Sequence, residues 1–304
     1  LIAVAVALSN RTSTVAVWDA HTGQLLRQES QPVTALAFSP DEKFLALGEA
    51  QGDITILPLP TGEAWPPLRG GRGQIEGLAF CRDYVQPESP AGVEPNWLLA
   101  SGDESGIVVL WDLARRLPRN YFRSGTYSVT AMAFSPDGTV LAAGGRFALR
   151  LWDVATGQLL LKFGSGDFLT GLSFSPDGKT LAVVGVGGFT WTGETFLWTL
   201  EYGRGIQTLR GLSSGITWPC ISPNGRWLAA LSLNWQLGVW DLSTGSLLRV
   251  FEAPKGLSPD NAAIRFSPDN QQLAYATARA ARLWEVESGK ELRRWELRSG
   301  LVEQ

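Results

Sequence analysis

The sequence predicts an all-β fold, a seven-bladed β-propeller of four-stranded antiparallel blades. The main observation is a Trp-Asp-like dipeptide that ends a short apolar run seven times. These anchors are Trp18-Asp19, Leu57-Pro58, Trp111-Asp112, Trp152-Asp153, Trp198-Thr199, Trp240-Asp241 and Trp284-Glu285. By subtraction they are 39, 54, 41, 46, 42 and 44 residues apart, a period typical of one four-stranded unit. Because such a unit cannot bury both faces alone, seven in a row predict a closed ring of blades.

The clearest repeat runs from Val129 to Phe163. Residues 129–134 alternate in character, as a half-buried strand does. Ser135-Pro136-Asp137-Gly138 then predicts a tight turn, because Pro presets φ, Asp bonds its own backbone and Gly accepts a positive φ. Strands follow over 140–144 and 148–152, and a second turn with Thr-Gly leads into a fourth strand over 158–163.

The other repeats follow the same plan. The predicted blades are approximately 1–30 with 299–304, 31–70, 71–124, 125–164, 165–211, 212–252 and 253–298 of one propeller domain. A Pro- and Glu-rich insertion over 84–96 explains the 54-residue interval. The chain begins in a second strand, so we expect the tail 299–304 to supply the missing first strand and close the ring. The alternative is a chain cut from a longer protein whose missing strand lies upstream, and both can hold together.

The composition agrees with short strands and tight turns. The 304 residues are 44% hydrophobic, include 34 Gly, and carry a formal net charge of -3. The basic excess that a nucleic-acid binder uses against phosphate is missing. The apolar opening 1–8 is interpreted as a strand rather than a signal peptide, and no other stretch has the length of a membrane span. We therefore expect no nucleic-acid partner and no membrane span.

The phased dipeptides and turns resemble the WD-repeat (WD40) β-propeller family, over nearly the whole chain. We expect a bacterial-type member with degenerate repeats, because the family often links an Asp, a His, a Ser and the Trp by hydrogen bonds. Here the Asp position holds Thr12, Ser105, Arg146, Thr192, Asn234 or Ala278, and the only histidine is His21. Without this tetrad the tryptophans are expected to act chiefly as apolar fillers between blades. They are Trp18, Trp111, Trp152, Trp198, Trp240 and Trp284.

Motifs for catalysis are scarce. A single histidine excludes multi-His metal sites and makes a Ser-His-Asp triad untenable. Asp103 and Glu104 could pair around a metal, but a solvated loop explains them more simply. We expect no enzyme, no catalytic residue, no cofactor and no metal. Cys81 and Cys220 lie in different repeats, so free thiols and a cytoplasmic location are expected.

What remains is surface. The resemblance implies that the loops joining fourth to first strands, and second to third strands, gather on one rim and bind partners. The residues of these loops suited to binding hot spots are Arg72, Tyr127, Arg146, Phe168, Trp191 and Trp235. For Phe168 and Trp235 the alternative is that the side chain plugs a blade junction.

The sequence therefore predicts a non-enzymatic scaffold, monomeric as a domain, that binds a protein or peptide through one rim. It is expected to be one domain of a larger regulatory protein. The alternative is the propeller domain of an enzyme, which gates substrate or binds a small ligand in its central channel.

Overall fold

The structure is a computed structural model that divides into two compact units, Leu1–Ser165 and Gly166–Gln304. It describes residues 2–7, 13–19, 22, 24–83, 97–186, 193–199, 206–209, 211–212, 214–253, 263–277 and 280–296. Four predictions lie outside the described residues. They concern His21, the insertion 84–96, Trp191 and the tail 299–304.

Unit 1 begins with two three-stranded sheets and one four-stranded sheet, whose strands pair antiparallel with their neighbours along the chain. The first sheet is β1 (Ile2–Ala7), β2 (Ser13–Trp18) and β3 (Leu25–Ser30); the second is β4 (Val33–Phe38), β5 (Phe44–Glu49) and β6 (Ile54–Pro58). The third is β7 (Ile75–Arg82), β8 (Trp97–Asp103), β9 (Ile107–Asp112) and β10 (Leu117–Arg123). An antiparallel pair follows, β11 (Val129–Phe134) and β12 (Val140–Asp153).

Strand β13 (Leu159–Phe174) contains the division between the units. In unit 2 its last part pairs with β14 (Thr180–Val186), which is followed by β15 (Gly193–Thr199) and β16 (Ile206–Leu209). Two four-stranded antiparallel sheets complete the unit. They are β17 (Ile216–Ile221), β18 (Trp227–Ser232), β19 (Gln236–Asp241) and β20 (Ser246–Glu252), then β21 (Ala263–Phe266), β22 (Gln272–Ala276), β23 (Ala280–Glu285) and β24 (Glu291–Glu296).

The prediction of an all-β propeller is supported, but the prediction of seven blades is wrong, and the prediction of four strands in every blade is not confirmed. The described strands form six sheets, with three, three, four, six, four and four strands. The count falls because β13 runs without a break from the end of one repeat into the next, where a loop was predicted. The predicted residue boundaries of the blades stay predictions.

A second departure is the missing fourth strand after β6. The chain follows β6 through single contacts only: Trp65 N donates to Ile56 O, and Leu68 exchanges two backbone hydrogen bonds with Ile54. Pro66 and Pro67 lie between these two contacts. Proline has no N–H to donate to a ladder, so this segment cannot pair as a continuous strand.

The four-stranded sheet of unit 1 is buried on both faces. Successive side chains point to opposite faces of a strand, and here they enter two different cores. Leu99 and Trp111 pack in a cluster with side chains of β5 and β6, whereas Leu98 and Leu110 pack in a cluster with side chains of β11 and β12. The first strands of these successive sheets also lie in contact, β4 with β7 and β7 with β11. This stacking is what the propeller prediction requires.

Unit 2 repeats this arrangement by itself. Leu228 and Trp240 pack in a cluster with side chains of β14, and Leu231 and Val239 pack in a cluster with side chains of β21 and β22. Strand β17 contacts β14 on one side and β21, the first strand of the next sheet, on the other. Burial of one such indole removes about 150–250 Å² from water, a gross gain of about 4–6 kcal/mol at 25 cal/mol per Å².

The turn between β11 and β12 forms by the predicted mechanism. Ser135 Oγ donates to Asp137 Oδ1 at 2.6 Å and accepts from Val140 N at 2.9 Å. Asp137 Oδ1 also accepts from Thr139 N at 3.1 Å, and Gly138 has φ 70°. These contacts lower the pKa of Asp137, chiefly through the Ser135 hydroxyl. The turn therefore binds its own carboxylate in the charged form.

Candidate interaction site

Turns of the kind predicted to bind partners lie at one end of the strands of the four-stranded sheet in unit 1. Ile75 pairs with Asp103, and Arg123 pairs with Ile107. The same end of the sheet therefore contains the start of β7, the end of β8, the start of β9 and the end of β10. The turns 69–74, 103–107 and 124–128 lie there. We call these three turns together with Arg146 the rim of unit 1.

A buried carboxylate fastens two of these turns. Asp103 is 2% exposed, and its Oδ1 accepts from Ser105 N at 3.0 Å, Ser105 Oγ at 2.7 Å and Ile107 N at 2.9 Å. Its Oδ2 accepts from Arg72 N at 3.3 Å. The interpretation of Asp103 as part of a solvated loop is therefore wrong. Among the described residues no group of three or more His, Cys, Asp or Glu is placed to hold a metal.

The turn that carries Tyr127 is held by hydroxyl groups. Ser124 Oγ donates to Gly106 O at 2.8 Å and lies 2.8 Å from Thr126 Oγ1, which donates to Ser128 O at 2.5 Å. Tyr127 itself is 80% exposed. A fixed turn thus presents a fully accessible phenol ring.

The structure brings three of the six predicted binding residues to the rim of unit 1. Arg72 and Tyr127 are exposed in their turns, and Arg146 is exposed within β12. Val154 N donates to Thr139 O at 2.8 Å, which places the two ends of β12 side by side. The chain therefore reverses tightly inside β12, and Arg146 lies in the strand rather than in a separate loop.

The other predicted residues fall in unit 2. Phe168 was assigned to a loop, which is wrong: it lies in β13, pairs with Val186 and is 38% exposed. Trp235 lies in the turn between β18 and β19 and is half-buried with φ 68°. Its N donates to Ser232 O and its O accepts from Ala253 N, both at 2.9 Å. Trp191 lies outside the described residues.

Acidic side chains in the rim and next to it interact with the chain's own donors. Glu104 Oε1 accepts from Gln74 N at 3.2 Å, and Glu76 accepts from the Ser128 hydroxyl. Asp53 lies 3.6 Å from Arg69 Nε. Carboxylates that already accept hydrogen bonds offer fewer free lone pairs to a partner, so the rim presents mainly exposed guanidinium groups, among them that of Arg72, and the ring of Tyr127. This set can donate to carbonyl or carboxylate oxygens and cover apolar area.

The anchor tryptophans are largely buried where the structure describes their side chains. Trp111, Trp152, Trp240 and Trp284 are at most 4% exposed, and Trp18 is half-buried. The side chain of Trp198 lies outside what is described. Sequence reasoning missed that Trp111 Nε1 donates to Ser101 Oγ at 2.8 Å. This indole does more than fill space.

The fold is an all-β repeat architecture, and comparisons with known proteins support a likeness to WD40 propellers. A family model described as the anaphase-promoting complex subunit 4 WD40 domain matches residues 3–83. A second, the WD domain, G-beta repeat, matches residues 118–153. No helix among the residues described above is long and apolar enough to cross a membrane.

Three curated relatives are similar to parts of the chain. Telomerase protein component 1 of Rattus norvegicus is 27% identical over 230 residues, which is 75% of this chain and 8% of that protein. Periodic tryptophan protein 2 of Arabidopsis thaliana is 25% identical over 250 residues, 80% of this chain and 26% of that protein. WD repeat-containing protein SL1-17 of Schistosoma mansoni is 31% identical over 160 residues, 51% of this chain and 48% of that protein.

These matches support the WD-repeat prediction, and the chain spans less than half the length of each of the three relatives. All three come from eukaryotes, so the prediction of a bacterial-type member is not confirmed. The prediction of degenerate repeats is not confirmed either.

Proposed function

We propose that this chain is a non-enzymatic WD-repeat scaffold that binds a protein or peptide partner through the rim of unit 1. The observation that carries the proposal is a rim of internally hydrogen-bonded turns that presents Tyr127 at 80% exposure beside the exposed Arg72. Fixed turns lose little freedom on binding, and Tyr and Arg are the residue types that dominate interface energetics.

The comparisons support a regulatory context. One matching family model describes a WD40 domain of a subunit of a complex, and the chain covers a minor part of its relatives. We therefore propose that the chain is one domain of a larger regulatory protein. Phe168 and Trp235 are proposed as partner contacts of unit 2 in their own right, separate from the rim of unit 1.

The test compares two double variants of the full-length protein. Arg72→Ala with Tyr127→Ala removes the proposed contacts, and Arg115→Ala with Leu117→Ala is the matched control. Leu117 is 59% exposed and pairs with Asp112, at the opposite end of the strands of the same sheet. A hot-spot residue costs about 2 kcal/mol or more on truncation, about 30-fold in affinity.

Partners are recovered from cells by quantitative affinity purification of the parent and both variants. We expect the rim variant to lose a specific set of proteins that the control variant retains. Equal recovery from all three forms would refute the proposal.

The proposal includes a monomeric unit in the cytoplasm. Cys81 and Cys220 are free and buried, which is compatible with a reducing compartment. Light scattering of the purified chain tests the monomer, and fractionation of cells that express the tagged full-length protein tests the location.

A further inference from the structure

Unit 2 contains a cleft between its two four-stranded sheets, away from the turn of Trp235. Its volume is about 190 Å³, and it is lined by Arg226, Trp227, Leu248, Arg249, Val286 and Glu287. Ligand pockets usually measure about 300–1,000 Å³. The cleft is therefore too small for a cofactor and has the size of a site for one side chain.

The chain itself uses only some of the donors of the two guanidinium groups in the cleft. Arg226 lies over the Trp227 ring, with Cζ 5.3 Å from the ring centroid, and its Nε lies 3.4 Å from Asp241 Oδ2. Arg249 donates from Nε at 3.1 Å and from Nη2 to the main-chain oxygen of Glu287. A guanidinium has five N–H donors in a planar fork, so each retains donors for a ligand.

Trp227 lines the cleft with its indole ring. The residue is 6% exposed, its ring stacks on Phe266 with centroids 6.3 Å apart, and its buried Nε1 has no acceptor among the described residues. A buried unpaired N–H is costly. The cleft thus combines two guanidinium groups and an indole ring with one exposed carboxylate, that of Glu287.

The cleft adjoins the edge strand of the first of these sheets. The strand order β17-β18-β19-β20 leaves one side of β20 without a neighbour within that sheet. Leu248 and Val250 of this strand are 46% and 44% exposed. An exposed edge with apolar side chains is a template for pairing with another extended chain.

We propose that β20 and the cleft bind an extended acidic peptide segment of a partner protein. The segment pairs its backbone with β20, covers Leu248 with an aliphatic side chain, and places a Glu or Asp carboxylate between Arg226 and Arg249. The guanidinium donors that Asp241 and the main-chain oxygen of Glu287 leave unused favour this occupant, because arginine forks match a carboxylate by two parallel hydrogen bonds. The site is separate from the rim of unit 1, so either proposal can fail without the other.

The test begins with selection of short linear peptides from a displayed random library on the intact chain. Selected peptides are synthesised with a fluorescent label and titrated by anisotropy. We expect an acidic residue close to an aliphatic one, and a loss of about 10- to 100-fold when that residue is changed to Gln or Asn. The same loss is expected for Arg226→Gln with Arg249→Gln, while Arg115→Gln, at an exposed arginine outside both proposed sites, leaves binding unchanged.

Two further measurements separate binding from folding. Arg226 and Arg249 are exposed, so the double variant should keep the parent's melting temperature. Hydrogen exchange should show new protection of Ser246–Glu252 on addition of the peptide. Three results overturn the proposal: selection yields no acidic-aliphatic peptides, the double variant binds as tightly as the parent, or protection appears elsewhere and not in this strand.

Discussion

The hydrogen bond between Trp111 and Ser101 gives a direct measure of what an anchor indole contributes. Ser101 and Trp111 are each 1% exposed, and Nε1 lies 2.8 Å from Oγ. Ser101→Ala strands a buried N–H, which costs about 1–3 kcal/mol. Trp111→Phe strands the hydroxyl instead and also leaves a small void, at less than the roughly 3–5 kcal/mol typical of truncating a buried aromatic to Ala.

The double variant removes both partners, so the stranding cost is not incurred twice. We expect it to be less destabilising than the sum of the single variants by about 1 kcal/mol or more. Urea unfolding followed by far-ultraviolet circular dichroism measures all four forms without reliance on the altered indole. Ser101→Ala with Trp284→Phe is the control, since Trp284 packs in a core of unit 2 and should be additive within about 0.5 kcal/mol. Additivity of the Ser101 and Trp111 changes to the same tolerance would refute the reasoning.

Three further predictions concern acid sensitivity, close packing and thiol reactivity. The pKa of Asp137 is lowered below 3.8, chiefly by the Ser135 hydroxyl. The stability that this carboxylate contributes is therefore present above its unfolded pKa and lost as pH falls through its folded pKa. Asp137→Asn should make the urea midpoint depend less on pH in that acidic range. Gly145→Ala should destabilise by about 1–3 kcal/mol or more, since a Cβ there would lie 1.8 Å from Ser128 O, whereas Gly164→Ala meets nothing within 4 Å and should be neutral in thermal unfolding. Burial, then Asp83 and Asp137, raise the pKa of Cys81 to about 12, so alkylation by iodoacetamide at neutral pH should require urea; rapid labelling of the native chain would contradict this.

Local chemistry explains why the repeat could be predicted from the sequence. The turn at Ser135 is closed by Asp137 and Gly138, which lie within three residues of it. Such contacts depend on residue type and spacing, and both can be read directly from the sequence. The same holds for the alternation that buries Leu98 and Leu99 on opposite faces of β8.

The departures arise where distant segments meet or where a local signal was outweighed by the repeat. Pro66 and Pro67 are a local signal against a fourth strand after β6, whereas the prediction of four strands followed the repeat. Asp103 gives no such signal, because its burial depends on Arg72, 31 residues earlier. The reversal at Arg146 follows Gly144-Gly145, a dipeptide typical of turns, but it is tight enough to leave β12 unbroken.

The cleft of unit 2 was invisible to sequence reasoning for the same reason. Arg249 belongs to one sheet, and the main-chain oxygen that positions it belongs to Glu287, 38 residues later. Gly289, with φ 75°, follows closely and would bring a Cβ to 3.2 Å from Arg249 Cδ. Contacts between two sheets determine the position of Arg249, and the sequence of neither repeat alone predicts those contacts.

The acidic balance of the chain is a poor guide to its partners, because many carboxylates are bound internally. The turns lower the pKa of Asp153 and Asp269 through their own hydrogen bonds, led by Thr156 N and by Ser267 Oγ respectively. These carboxylates already accept the chain's own donors, whereas Arg72 and Arg249 are exposed at strand ends and outer strands. Because the sheets bury both faces, such positions are the surface left for binding. A formal net charge of -3 is therefore compatible with recognition of acidic segments by arginine.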